Sequence, residues 1–355
     1  MSKTRVIGLD IGTTAVRAAE VEVGRGGSSG GKQPTVLRFG QVPLPLGAVR
    51  DGEVAEPETV ASALRQLWQE AKFSHRDVIL GVGNQRVMVR DLTIPAMPMD
   101  QVRSSLPFQV QDMLPVAVDD VLLDYYPTAG YDGPNGRMVS GLLVAATRDT
   151  VHANTAAVET AGLRPLMVDL TAFALTRFHS HGELAPRTVA LVDIGARVTV
   201  IVIAAAGVPR LVRILPAGGQ DATDSVANDL GLAAGEAEAI KRQVGVGLAV
   251  PRKLEPAAEA VGRATRNLVE AIRNTLVYYA GNHPGGGVEV VLLTGGGSRL
   301  SGFGQYLSSA CRMTVTYGQP LSSLRAGSAM PKGEQLVQLG YALAVPVGLA
   351  LGEVA

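Results

Sequence analysis

The chain switches repeatedly between two hydrophobic periods. Residues 6–17, VIGLDIGTTAVR, read as an apolar strand ending on Asp10, a Gly-Thr-Thr turn and a second strand, and residues 35–43 resume the strand pattern. Between them, the glycine-rich run at 24–31 reads as a flexible loop tip. Over 57–72 the period becomes helical, with Val60, Leu64, Leu67, Trp68 and Ala71 on one face and Glu58 near the start. Trp68, the only tryptophan, belongs to that packing face. Strands are expected at 78–82 and 86–94, a helix at 99–113 interrupted by Pro107, strands at 120–126 and 137–146, and a helix at 150–161 capped by Asp149 and stopped by Gly162. After a strand at 163–170, residues 187–205 repeat the opening design: apolar strand, Asp193, a turn at Gly195, β-branched strand. Helical periodicity then marks 221–230, 233–244 and 255–279. A buried-strand run at 288–293 leads into TGGGSRL at 294–300, followed by a helix at 301–311, a strand at 313–317 and a small-residue apolar helix at 335–351.

Composition narrows the class. At 355 residues, two domains or one bilobed fold are expected, and 46% hydrophobic against 18% charged residues with 42 glycines suits an α/β protein with many tight turns. A formal net charge of zero gives no electrostatic footprint for nucleic acid or an anionic membrane. The single cysteine, Cys311, forms no internal disulfide and reads as a small buried hydrophobe, and without a His/Cys cluster a zinc site is not expected. The first residues pass into a strand without a signal-peptide apolar region, and the apolar run 341–351 is too short to span a bilayer, so a cytoplasmic location is expected.

Three strand-to-glycine turns carry the candidate chemistry: Asp10-Ile-Gly-Thr-Thr, Asp193-Ile-Gly-Ala-Arg and Thr294-Gly-Gly-Gly-Ser. Such turns aim backbone N–H groups at an anion while the aspartates stand ready for a cation, although an isolated Gly-Thr hairpin serves equally as a plain turn. A dinucleotide fingerprint is disfavoured, because each G-x-G fails at its last position, where Arg86, Val250, Val290 and Leu300 stand. The run Gly31-Lys32-Gln33 likewise lacks the ending of a P-loop. Two aspartate hairpins and a glycine-rich turn suit a nucleoside triphosphate held between lobes. Glu238 and Lys241, one helical turn apart, read from spacing alone as an exposed ion pair worth a few tenths of a kcal/mol, roughly.

The order of these segments resembles the actin-like ATPase superfamily, and within it the chain is most similar to the PilM family of type IV pilus assembly proteins. The likeness rests on LDIGTTAVRAAEV (9–21), PLPLGAVRDGEV (43–54), LPVAVDDVLLDYY (114–126), LVDIGARVTV (191–200), AEAIK (237–241), LLTGGGSRLSG (292–302) and YALAVPVGLAL (341–351). It implies an α/β, actin-like (RNase H-like, duplicated) two-lobed fold with an FtsA/PilM-type inserted subdomain. The first lobe would span 1–77, completed by 166–186 and the C-terminal helix at 333–355; the inserted subdomain 78–165; the second lobe 187–332, with 220–284 its helical subdomain. The resemblance further implies ATP and Mg²⁺. Gly12, Thr13 and Thr14 would bind phosphates, with Arg17 a basic neighbour; Asp10 and Asp193 would hold Mg²⁺ through water, and Gly195 would open the second hairpin. Asp169 falls where relatives place an acidic residue near metal and attacking water; Glu238 and Lys241 match a ribose and adenine grip; Gly295, Gly296, Gly297 and Ser298 match the adenosine turn. Ala196 and Arg197 depart from the small or hydroxyl residues usual after that glycine, which implies binding with slow or no hydrolysis.

The implied partner is the short cytoplasmic N-terminal segment of a PilN-type membrane protein, captured between the first lobe and the inserted subdomain, together with other inner-membrane components of the pilus machine. Two alternatives share the superfold. An FtsA-like division protein would carry a C-terminal amphipathic membrane helix, whereas this chain ends at Ala355 without one; a small-molecule kinase would need a substrate-side base, for which Asp169 is the one candidate.

Overall fold

The computed structural model describes residues 3–24, 33–134, 136–283, 285–318 and 324–352; the loop tip expected at 24–31 lies, beyond its first residue, outside them. The first half of the chain runs β1 (Lys3–Ile11), β2 (Ala15–Gly24), β3 (Thr35–Pro43), β4 (Val49–Arg50), β5 (Glu53–Val54), α1 (Pro57–Ala71), β6 (Asp77–Val82), β7 (Val87–Pro95), α2 (Met99–Gln109), β8 (Val121–Gly133), β9 (Gly136–Thr147), α3 (Arg148–Thr160), β10 (Arg164–Leu170) and α4 (Thr171–His179). The second half continues β11 (Thr188–Ile194), β12 (Thr199–Ala205), β13 (Val208–Leu215), α5 (Gly219–Leu230), α6 (Ala234–Val244), α7 (Glu255–Asn282), β14 (Val290–Thr294), α8 (Phe303–Cys311), β15 (Val315–Tyr317), β16 (Arg325–Ala326), α9 (Glu334–Gln338) and α10 (Gly340–Ala350).

Two main sheets, ordered β10-β6-β1-β2-β3-β16 and β13-β12-β11-β14-β15, form the lobes. Their central strands are apolar on both faces because each face is covered. In the first sheet, Ile7 and Leu9 pack outward against α1 and α3, whereas Val6, Ala19 and Val21 turn inward. In the second, Ala190 and Val192 pack on α7 and α8, whereas Leu191 and Val202 turn inward. The two inner faces share one core with α4 and α10, which lie between the sheets. That position accounts for the small-residue composition of α10. A Cβ on Gly8 of β1 would fall 1.9 Å from the Pro346 carbonyl oxygen, and one on Gly348 would fall 2.0 Å from that of Ala174 in α4.

A three-stranded sheet, β7-β9-β8, carries α2 on one face and is the inserted subdomain. Its extent corrects the expected 78–165. Strand β6 pairs in parallel with β1 (Gly8↔Ile79) and with β10 (Val168↔Leu80), and Ala157 and Val158 of α3 pack into the same core as Leu64 and Leu67 of α1. Both elements therefore belong to the first lobe. The expected end of the second lobe at 332 shifts too, since Arg325 of β16 pairs with Thr35 of β3. Helix α2 stops at Gln109, two residues past Pro107, and α3 begins one residue before the expected cap, with Thr147 Oγ1 donating to Thr150 Oγ1 at 3.0 Å. Strand β13 and helix α4 were not expected from periodicity.

Candidate functional site

The two hairpins meet across a cleft of about 900 Å³. In the first, the Gly12 N–H donates to the Ala15 carbonyl at 3.0 Å and closes the turn, leaving Thr13 and Thr14 on the cleft wall. Arg17 stands opposite Asp10 in the strand register, its Nη1 3.4 Å from Asp10 Oδ2. In the second, the Gly195 N–H donates to Val198 at 2.9 Å. The start of α5 then locks this hairpin from behind: the Gly219 and Gln220 N–H groups donate to the carbonyls of Gly195 (2.9 Å) and Ala196 (2.8 Å). The third turn follows β14, which runs parallel to β11 with Thr294 beside Asp193. Gly295 has φ +80°, and a Cβ there would lie 2.4 Å from the Ile194 carbonyl oxygen and 2.7 Å from Asp193 Oδ1. Only glycine lets this turn press against the second hairpin.

Of the residues singled out from the sequence, Asp10, Gly12, Thr13, Thr14, Arg17, Asp193, Gly195, Ala196, Glu238, Lys241, Gly295, Gly296 and Gly297 line this one cleft. Three do not. Asp169 is held by an ion pair with Arg177, whose Nε also donates to the Gly348 carbonyl at 2.9 Å; its other oxygen accepts from the Leu170 N–H. A carboxylate committed to bracing α4 against α10 is not placed to serve a metal or water in the cleft. Arg197 turns to Asp221 (3.2 Å) and Asp224 (2.5 Å) on α5 and braces the hairpin from outside. Ser298 is buried, and its hydroxyl donates to the Gly295 carbonyl at 2.7 Å, so it shapes the turn without facing the cleft.

Glu238 and Lys241 form more than a surface pair. Lys241 is buried, with Nζ 2.6 Å from Glu238 Oε2, 2.9 Å from Thr223 Oγ1 and 3.0 Å from the Gly219 carbonyl. Burial pushes the Glu238 carboxyl up, but hydrogen bonds from Lys241, Thr223 and Arg242 overcome it and hold the pKa below the usual value. The pair thus fixes the start of α5, and through Gly219 the second hairpin, to α6.

The aspartates behave differently. Burial, and next the charge of Asp10, push Asp193 up to about 7, with Arg17 pulling the other way; burial likewise raises Asp10, opposed by Arg17. Two partly buried carboxylates that repel each other across the cleft are a donor set for a hard cation. Among the described residues no three His, Cys, Asp or Glu side chains gather to hold a metal. Magnesium needs no more than one or two carboxylates when water and phosphate complete its shell, so the pair fits Mg²⁺ arriving with a nucleotide.

Sequence reasoning missed several wall residues: Gln41 and Thr171 come from elements with no motif of their own, and Arg299 follows the glycines of the third turn without a role marked for it. Gln41 on β3 accepts from Arg17 Nε at 2.9 Å. Arg299 lies over the Tyr341 ring at 4.9 Å and donates to the Gln338 carbonyl, linking the glycine turn to the C-terminal helices. Thr171, the first residue of α4, faces the cleft with a buried Oγ1 that has no partner.

Comparison with known proteins follows this geometry. The family model for the type IV pilus assembly protein PilM matches residues 8–354. The chain belongs to that family. A chain of the solved PilM-PilN type IV pilus biogenesis complex is 26% identical, with a TM-score of 0.84 over 99% of each chain. The ethanolamine utilization protein EutJ from Carboxydothermus hydrogenoformans is 16% identical (TM-score 0.53, 99% of this chain and 90% of that one). The MamK double helical filament is 15% identical (TM-score 0.51, 89% and 94%). The last two share the fold alone, which is actin-like, as the three turns and their order imply.

Proposed function

We propose that this chain is a cytoplasmic, ATP-binding adaptor of the type IV pilus inner-membrane assembly complex, capturing the cytoplasmic N-terminal segment of a PilN-type membrane protein. The observation that carries the partner is the end-to-end likeness to a protein solved together with PilN. Membrane attachment would run through that partner, since among the described residues no helix is long and apolar enough to cross a membrane. A synthetic peptide of the partner's cytoplasmic N-terminus, titrated calorimetrically into the full chain, should bind; no heat at 100 µM peptide, roughly a Kd weaker than that figure, would sink the adaptor reading.

The nucleotide reading rests on the cleft. Gly12, Thr13 and Thr14 would receive the phosphates with Arg17, Asp10 and Asp193 the metal's water shell, Glu238 and Lys241 the ribose and adenine, and the Gly295–Gly297 backbone the adenosine, where no side chain obstructs approach. Bound Mg²⁺ would supply charge neutralisation at the phosphates. In a thermal-shift assay, Mg²⁺-ATP at about 100 times its Kd should stabilise by about 2.7 kcal/mol, and Asp193→Ala should remove the shift. Hydrolysis is expected to be slow or absent: Asp169 is bound to Arg177, and Thr171 offers the water only a hydroxyl, too weak a base. Phosphate release faster than about one per second, an ordinary kinase rate, would refute this.

A further inference from the structure

The two hairpins are duplicates in backbone but not in charge. In the first lobe the register places Asp10 of β1 opposite Arg17 of β2, and Arg17 opposite Gln41 of β3. The three side chains form one row across the sheet: Arg17 Nη1 lies 3.4 Å from Asp10 Oδ2, and Arg17 Nε donates to Gln41 Oε1 at 2.9 Å. In the second lobe the matching row is Asp193 of β11, Val200 of β12 and Ile214 of β13. There the aspartate has an apolar residue where the first has a cation. Side-chain exposure of 19% for Arg17 and 16% for Asp10 keeps their attraction from being fully screened by water. The strand pairing also sets where Arg17 is anchored, because cross-strand neighbours are held within side-chain reach of each other. A Cβ on Gly12 would fall 3.2 Å from Arg17 Nη1, so the glycine turn closes down over the same guanidinium.

We propose that Arg17 acts as an internal counter-ion that makes the metal site conditional on nucleotide: it holds Asp10 until phosphate oxygens draw the guanidinium away, and the acid pair then accepts a divalent cation. This rests on the nucleotide-and-metal reading given above for the cleft. A guanidinium pairs with phosphate at least as well as with a carboxylate, and its planar fork lets it pivot between the two without leaving Gln41. With Nη1 3.4 Å from Asp10 Oδ2, the guanidinium stands beside the oxygen a cation or its water shell would approach, so the positive charge of one side chain opposes the entry of another. Free Mg²⁺ in the cell would then not occupy the cleft in advance of nucleotide. Gln41 is the positioning residue of this arrangement.

The test uses Mn²⁺ as the probe, followed by electron paramagnetic resonance on the full chain without nucleotide. Wild type should bind Mn²⁺ weakly. Arg17→Met should bind it at least about tenfold more tightly, because a cation a few ångströms from a carboxylate is removed. Arg17→Lys, which keeps the charge, should stay near wild type. Gln41→Leu leaves the charge but frees its anchor, so it should shift affinity the same way by a smaller factor, and it carries the test if Arg17→Met does not fold. Mn²⁺ affinity unchanged or lower in both Arg17→Met and Gln41→Leu would overturn the inference. A parallel titration with ADP separates the two claims: wild type should gain Mn²⁺ affinity, Arg17→Met should gain less. Failure of wild type to respond to ADP would refute the nucleotide reading, while the nucleotide-free comparison would still decide the role of Arg17.

Discussion

Replacing Lys241 by methionine separates a surface ion pair from a structural joint. Methionine keeps most of the stem's volume and removes the ammonium. Three contacts are lost: to Glu238 Oε2 at 2.6 Å, Thr223 Oγ1 at 2.9 Å and the Gly219 carbonyl at 3.0 Å. Hydrogen bonds to a charged group contribute about 1.5–3 kcal/mol. The partner carboxylate is not stranded, because Glu238 keeps Arg242 Nε at 2.7 Å and Thr223 Oγ1 at 2.5 Å and its side chain is 31% exposed. The expected loss therefore sits in the lower half of that range, about 2 kcal/mol. Larger proteins shift by roughly 2–4 °C per kcal/mol, so the melting temperature of the nucleotide-free protein should fall by about 4–8 °C, or somewhat less at this length. Arg242→Met is the control: its side chain is 76% exposed, and the change should stay within about 0.5 kcal/mol. Scanning calorimetry or a dye-based melt reads both. Equal shifts for the two variants, or none for Lys241→Met, would refute the reasoning that Lys241 ties α5 to α6.

Other consequences concern pH and packing. Burial and the charge of Asp10 let Asp193 hold its proton up to about pH 7 when folded, against 3.8 for an unperturbed aspartate, so its contribution is fully present below about pH 4 and is lost as pH rises through about 7, by at most about 1.4 kcal/mol per unit. Urea unfolding across that window should show the decline in nucleotide-free wild type and a flatter profile in Asp193→Asn. His179 has the opposite sign: burial first, then the nearby His181, lower its pKa from 6.5 to about 3. Its contribution is present above about pH 6.5 and is lost as pH falls toward about 3, so His179→Leu should blunt acid unfolding over that window while leaving stability at pH 8 less affected. Gly348→Ala would set a Cβ 2.0 Å from the Ala174 carbonyl oxygen, forcing α4 and α10 apart; a loss of about 3 kcal/mol or more in chemical denaturation is expected, and a neutral result would contradict the close helix packing.

The strands, the turns and the duplication were legible because each is a local pattern. A β-branched run that ends on Asp-Ile-Gly reads the same wherever it lies, and the glycines at 295–297 announced a backbone that must approach something closely. Lobe boundaries were less legible. Strand β6 looks in sequence like the start of a new unit, yet pairing places it between β1 and β10, since nothing local states which strand a parallel partner will be. Helix α4 escaped for a related reason: buried between two sheets, its apolar residues do not fall on one face.

Site chemistry divides along the same line. Residue type and spacing marked the aspartates and glycines of the three turns, with Thr13 and Thr14, because phosphate-binding turns need glycine, hydroxyl and carboxylate at fixed local offsets; the family resemblance was needed to add Arg17, Ala196, Glu238 and Lys241, which complete the thirteen wall residues nominated. Direction was not available from type. Asp169, Arg197 and Ser298 carry suitable groups, but Arg177, the acids of α5 and the Gly295 carbonyl claim them. Conversely, Gln41 and Thr171 have no motif and reach the cleft only because β3 pairs beside β2 and α4 begins at its wall. Short-range sequence sets what a hairpin can hold; the long-range pairing of strands sets which side chains remain free to hold it.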